Sequence, residues 1–100
     1  MKLIITENKL YKTFTNFMDK FVGLTYRVNH INWRGKVIRK YIFITKENNT
    51  FGDMIEDDAF FPSFSEYEKI DDFFGNKTDE LLLQYLKDKF GDKILFRRIA

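Results

Sequence analysis

Residues 24–46, LTYRVNHINWRGKVIRKYIFITK, are the stretch on which the fold turns. They read as two strands folded back on each other at Arg34-Gly35, with glycine supplying the positive φ that a two-residue hairpin turn needs. Trp33 then faces Lys36, and the whole register follows. Side chains alternate along a strand, so Thr25, Arg27, Asn29, Ile31 and Trp33 share one face with Lys36, Ile38, Lys40, Ile42 and Ile44. The other face pairs Tyr26 with Phe43, Val28 with Tyr41 and His30 with Arg39, bordered by Leu24, Asn32, Val37 and Thr45. The isoleucine-rich face is expected to pack against helices. The aromatic, basic face is then left for another role.

Working outward, residues 2–6 are short, apolar and β-branched and are expected to form a strand. A helix follows from Thr6 as N-cap, with Leu10, Tyr11, Phe14, Phe17, Met18 and Phe21 at helical spacing, and Gly23 ends it. Beyond the hairpin, residues 47–50 are a polar turn, and residues 51–58 read as a third short strand or a loop. Ser63 and Glu66 offer a capping box for a helix that carries Phe64, Tyr67, Ile70 and Phe74 and stops at Gly75. Thr78 caps the next, whose buried side is Leu82, Leu83, Leu86 and Phe90 before Gly91, and residues 93–99 are expected to close the chain as a strand.

With residues 47–77 set aside as an insertion, the order is strand, helix, strand, strand, helix, strand. The expected fold is a single α+β domain of ferredoxin-like βαββαβ type over residues 1–100. It would have a four-stranded antiparallel sheet, two helices on one face, and an acidic, Phe-rich insertion containing a short helix. A faint internal echo agrees: Asp19-Lys20-Phe21 and Asp88-Lys89-Phe90 each precede a glycine and an expected strand.

Composition removes several chemistries. There is no cysteine and one histidine, His30, so disulfide scaffolds, zinc fingers, thiol nucleophiles and two-histidine mechanisms are excluded within one chain. The opening residues turn polar after Ile5, which argues against a secretory leader or a membrane span and for a soluble, cytoplasmic protein, so the patterns at Asn48 and Asn76 count for little as glycosylation sites. The cluster Glu56-Asp57-Asp58 lacks the alternating ligands and the glycine of a calcium loop, and reads as a solvated charge run. No cofactor, metal or catalytic set is expected.

The net charge of +2 conceals a segregation. Residues 1–46 hold ten Lys and Arg against two Asp and Glu, and residues 47–80 hold two against eleven. The expected consequence is either an acidic segment lying on a basic body or a bipolar surface that attracts charged partners.

The strand Arg39-Lys40-Tyr41-Ile42-Phe43-Ile44 resembles the RNP1 segment of RNA-recognition-motif proteins: a basic residue, then two aromatics at alternate positions, then an aliphatic. That resemblance implies Tyr41 and Phe43 as base-stacking residues and Arg39 as a phosphate contact, with Tyr26 and His30 beside them. It departs from the family at Lys40 and Ile42, and at Ile4, where the partner motif has an aromatic. Alternatively, the phenylalanines of the insertion cover this face while its carboxylates meet Arg39, His30 or Arg97. If the insertion extends outward instead, Glu56, Asp57, Asp58, Phe60 and Phe61 form a docking surface for a basic partner protein.

Gly23-Leu24-Thr25-Tyr26-Arg27 is similar to part of the phosphate loop of acylphosphatases, but here it follows a helix and enters a strand. The opening MKLIITENKLYKTF, with the Lys, Asn, Phe and Ile bias, resembles short proteins of tailed bacteriophages, implying a virion accessory part or an inhibitor of a host protein. Taken together, the expectation is a non-enzymatic protein that binds another protein or itself. The alternative is a single-stranded RNA- or DNA-binding protein using Tyr26, His30, Arg39, Tyr41 and Phe43.

Overall fold

Arg34 (φ 51°) and Gly35 (φ 78°) both adopt positive φ, which is what a type I′ hairpin turn requires at its two central positions. They join β1 (Thr25–Trp33) to β2 (Lys36–Ile44). The register is the expected one, with Trp33 opposite Lys36, His30 opposite Arg39, Val28 opposite Tyr41 and Tyr26 opposite Phe43. The computed structural model describes residues 2–56 and 58–100, with side chains from residue 9 onward. Around the hairpin it places α1 (Lys2–Phe17), which runs into a π-helical turn at Met18–Val22, then β3 (Thr50–Ile55), β4 (Phe60–Pro62), α2 (Phe64–Phe74) and α3 (Thr78–Phe90).

The protein is α+β with a four-stranded antiparallel sheet, as expected, but the strands follow one another as a meander, β1-β2-β3-β4. This replaces the ferredoxin-like order for three reasons. Residues 2–6 belong to α1: no glycine or proline separates them from the amphipathic stretch that follows, and the helix runs through them. Residues 47–77 are no insertion, because they supply β3 and β4. Residues 93–99 form no strand; the tail touches the sheet edge at one parallel bridge, Phe60 to Ile99, where Phe60 N–H donates to the Arg98 carbonyl at 2.9 Å. With β4 only three residues long, the edge offers the tail little more to pair with.

The face assignment also inverts. Phe43 is wholly buried and Tyr41 nearly so. Rings of Tyr26, Phe60, Phe90 and Phe96 stand 5.3–5.8 Å from the Phe43 ring, so α3, β4 and the tail cover this face. The isoleucine face, with Ile38, Ile42, Ile44 and Ile55, is the outer one and half-exposed. Two effects decide this. Aromatic side chains bury more area than isoleucine, about 150–250 Å² each. And the isoleucine face carries Arg27, Lys36 and Lys40 among its apolar positions, charges that would be stranded under a helix. On the aromatic face the polar positions, His30 and Arg39, lie toward the turn and away from the core.

Phe14 on α1 completes the core between Phe74 (4.9 Å) and Tyr85 (6.1 Å). α2 and α3 occur where periodicity placed them, but neither expected cap forms. Ser63 makes no side-chain capping bond, and Thr78 lies inside α3, its hydroxyl donating to the Gly75 carbonyl at 2.7 Å. Gly52 is required by close approach: a Cβ there would stand 2.5 Å from a ring carbon of Phe60 and 2.7 Å from the Phe61 carbonyl oxygen.

Candidate functional site

Among the described residues β3 pairs with β2 through Lys40–Ile44, and beyond that point β1 and β2 continue as a two-stranded ribbon. The rest of the hairpin projects as an arm, and the molecule measures 51 × 28 × 21 Å. Both faces of the arm meet solvent: Trp33 is 49% exposed and Val37 71%. Residues 24–46 contain six Lys and Arg and no Asp or Glu, so the arm is cationic by sequence as well as by position. Arg39 reaches Glu56 at 3.5 Å and Lys40 reaches Asp53 at 3.7 Å, exposed pairs that contribute on the order of 0–1 kcal/mol each. At the tip, the Arg34 guanidinium lies 5.8 Å from the centre of the Trp33 ring, a cation–π contact.

The sequence-derived sheet site is divided by this geometry. Tyr41 and Phe43 lie in the core and Tyr26 is half-buried beside Phe90, 5.4 Å between ring centres, so these rings form no open stacking platform. His30 and Arg39 are exposed on the arm. The accessible remnant of that face is a cavity of about 270 Å³ lined by Arg39, Tyr41, Met54, Glu56 and the start of the tail. The acidic site is divided too. Phe60 is fully buried against Phe43 and Phe51 and is no surface anchor, because β4 turns its side chain inward at that position. Phe61, the next residue, is exposed on the outer face opposite Asp53. Glu56 pairs with Arg39, Asp58 accepts a bond from the Ala59 N–H at 2.8 Å, and Asp57 lies outside the described residues.

At the end of β2 away from the arm is a second feature that sequence reasoning did not single out. A cavity of about 180 Å³ opens between the end of α1, the β2–β3 turn and α2, with Phe17, Phe21, Val22 and Ile70 as apolar walls and Glu47 and Glu66 as carboxylates. The Glu66 side chain is 14% exposed, and its ion pair, with Lys69, is a loose 3.5 Å. The signal was present: Glu66 lies four residues before the buried Ile70, hence on the same helix face. Phe73 and Phe21, both exposed, flank Phe17 at 5.5 Å each.

A third group lies between α1 and α3. Tyr85 donates to Asp19 at 2.6 Å, Lys89 reaches the same carboxylate at 3.1 Å, and Tyr11 donates to Asp88. Asp19 and Lys89, one residue from each of the echoed Asp-Lys-Phe triplets, are therefore joined across the helix pair. Burial and the bond to Asp88 push the Tyr11 hydroxyl up to about 12, and burial with the Asp19 bond raises Tyr85. The Tyr85 and Lys89 bonds hold Asp19 below the usual carboxylate range against its partial desolvation. These phenols stay protonated through the physiological range and act as ties between helices.

The segment resembling a phosphate loop is used structurally. Gly23, at φ 60°, closes the π turn, and its N–H donates to the Met18 carbonyl, so that amide is not offered to an anion. Among the described residues no group of three His, Asp or Glu is gathered as for a metal ion, and no helix is long and apolar enough to cross a membrane. No family, no curated protein and no solved structure matches the chain.

Proposed function

We propose that the protein is a non-enzymatic interaction protein that grips an acidic macromolecular surface with its β1–β2 arm. The observation that carries this reading is a two-stranded projection, open on both faces, drawn from a stretch with six cations and no carboxylate. Arg27, Arg34 and Lys36 form no ion pair among the described residues. These three side chains meet an anionic surface without first breaking an ion pair among the described residues, and the arm's charge speeds encounter. The likeness to short bacteriophage proteins makes a virion component or a host-directed inhibitor the natural setting, in the host cytoplasm or the virion.

A second reading, single-stranded nucleic acid as the partner, is favoured by the exposed Trp33 with Arg34 beside it. A tryptophan stacks on any base, and the flanking cations meet phosphates. The test is a fluorescence-anisotropy titration of a labelled oligoglutamate and a labelled single-stranded oligonucleotide. It compares wild type with the triple variant Trp33→Ala/Arg34→Ala/Lys36→Ala at low and near-physiological salt. The expected result is at least about tenfold weaker binding by the variant, with a shallower salt dependence. Equal binding by the two proteins would remove the arm as the contact element. Tighter binding of the oligonucleotide that persists near physiological salt would select the nucleic-acid reading.

A further inference from the structure

The arm is one half of a complementary pair whose other half lies at the opposite end of the same molecule. We propose that the cavity between α1, the β2–β3 turn and α2 receives the Arg34 side chain of a second copy, so that the protein assembles head to tail. This rests on the reading of the arm as the contact element and names its partner.

Arg34 is suited to insertion. It occupies the outermost point of the hairpin, held there by a turn with two positive φ values, and it forms no ion pair among the described residues. The cavity is suited to receive it. A volume of about 180 Å³ accommodates one long side chain. Phe17 and Phe21 line it as aromatic walls against which a guanidinium packs, Glu47 and Glu66 offer the oxygens with which it pairs in two-point fashion, and Lys69 lines it beside Glu66. Glu66 is largely removed from water, and its ion pair among the described residues is with Lys69 at 3.5 Å, a residue whose own side chain is 66% exposed and can swing aside. Outside the cavity the charges also match: Glu68, Asp71 and Asp72 are exposed on α2, and Lys36 flanks the arm tip.

A single molecule cannot satisfy both halves. β2 runs from Lys36 beside the tip to Ile44 beside the cavity, a span of about 27 Å at the usual strand rise. Each copy therefore presents a free tip and a free cavity. A contact of this heterologous kind repeats into open filaments, or closes into a ring where the rotation allows. A side chain in a small cavity with a charged rim makes an interface at the lower end of the known sizes, so assembly is weak and salt-sensitive.

Sedimentation velocity over about 10 µM to 1 mM at low salt tests this. The wild type is expected to gain mass with concentration and to lose that gain in high salt. Arg34→Ala and Glu66→Lys are each expected to remain monomeric. Mixed in equal amounts they should form a species of two chains and grow no further, since the intact tip of Glu66→Lys enters the intact cavity of Arg34→Ala, and the uncharged tip of Arg34→Ala has nothing to pair with in the cavity of Glu66→Lys. Glu47→Lys replaces Glu66→Lys should the latter fail to fold, as judged by its thermal melt. A wild type that stays monomeric throughout, single variants that assemble like wild type, or a mixture that stays monomeric would each overturn the proposal. None of these outcomes touches the arm itself, which stands or falls on the polyanion titration.

Discussion

Substituting Phe43 and its neighbour Ile42 one at a time tests which face of the hairpin is the core. Phe43 is 0% exposed and has four rings within 6 Å, those of Tyr26, Phe60, Phe90 and Phe96. Truncating a buried phenylalanine to alanine costs about 3–5 kcal/mol, and the lost ring pairs place Phe43→Ala in the upper part of that range, near 4 kcal/mol. Ile42 points to the half-exposed outer face, beside Arg27 and opposite Asp53. Its truncation removes less buried surface, and the expected cost is about 1–2 kcal/mol. In urea, with a slope of about 1–3 kcal/mol/M for a chain of this size, Phe43→Ala should lower the midpoint by roughly 2 M and Ile42→Ala by less than 1 M. A domain of ordinary stability, about 5–15 kcal/mol, survives the second and is brought close to unfolding by the first. Phe43→Leu, at about 1–2 kcal/mol, is the measurable fallback. A cost below about 1 kcal/mol for Phe43→Ala, or a larger cost for Ile42→Ala, would mean that the aromatic face is open. The stacking platform at Tyr41 and Phe43 would then return.

Gly52→Ala should destabilise by about 1–3 kcal/mol or more, because the new methyl meets backbone of β4 as well as the Phe60 ring; an unchanged melting temperature would contradict the close β3–β4 approach. Stability should hold steady up to about pH 10, where an unfolded tyrosine begins to ionise, and fall as pH rises toward the raised folded values of Tyr11 and Tyr85. On the acid side Asp19 contributes above its unfolded value of about 3.9, and that contribution disappears as pH falls through its depressed folded value. Thermal melts across pH should show a shallower alkaline decline in Tyr85→Phe, and an identical decline would separate Tyr85 from the effect. Trp33 is the single tryptophan and sits exposed at the arm tip, so Trp33→Ala should change stability by less than about 0.5 kcal/mol. Its emission in the wild type should shift little on unfolding, whereas a strongly blue-shifted native spectrum would place it in a contact.

The hairpin was legible to the residue because a two-residue turn with glycine leaves one register, and alternation then assigns every side chain to a face. What alternation cannot say is which face goes inward when both are apolar. Isoleucines stood on one side and aromatics on the other, and the choice turned on where the lysines and arginines lay along each face. Residues 2–6 were ambiguous in the same way: a five-residue β-branched run suits a strand by composition, but without a breaker after it the helix extends through it. Residues 47–77 misled because β3 contains Gly52 and the acidic Asp53 and β4 is three residues long, so neither shows the alternation by which strands are recognised.

The candidate surface was half legible. Charge blocks of opposite sign can be counted in any sequence, but whether they neutralise each other or stand apart depends on strand direction. Because β2 runs from the turn toward α1 and β4 returns the chain to that same end, the acidic α2 is carried away from the basic arm. Two contacts, Arg39 with Glu56 and Lys40 with Asp53, join the opposite charges near the arm's base. Beyond those the molecule keeps a cationic end and an acidic, aromatic end. On the reading proposed above, the electrostatic complementarity that such a chain does not spend on its own fold acts between molecules.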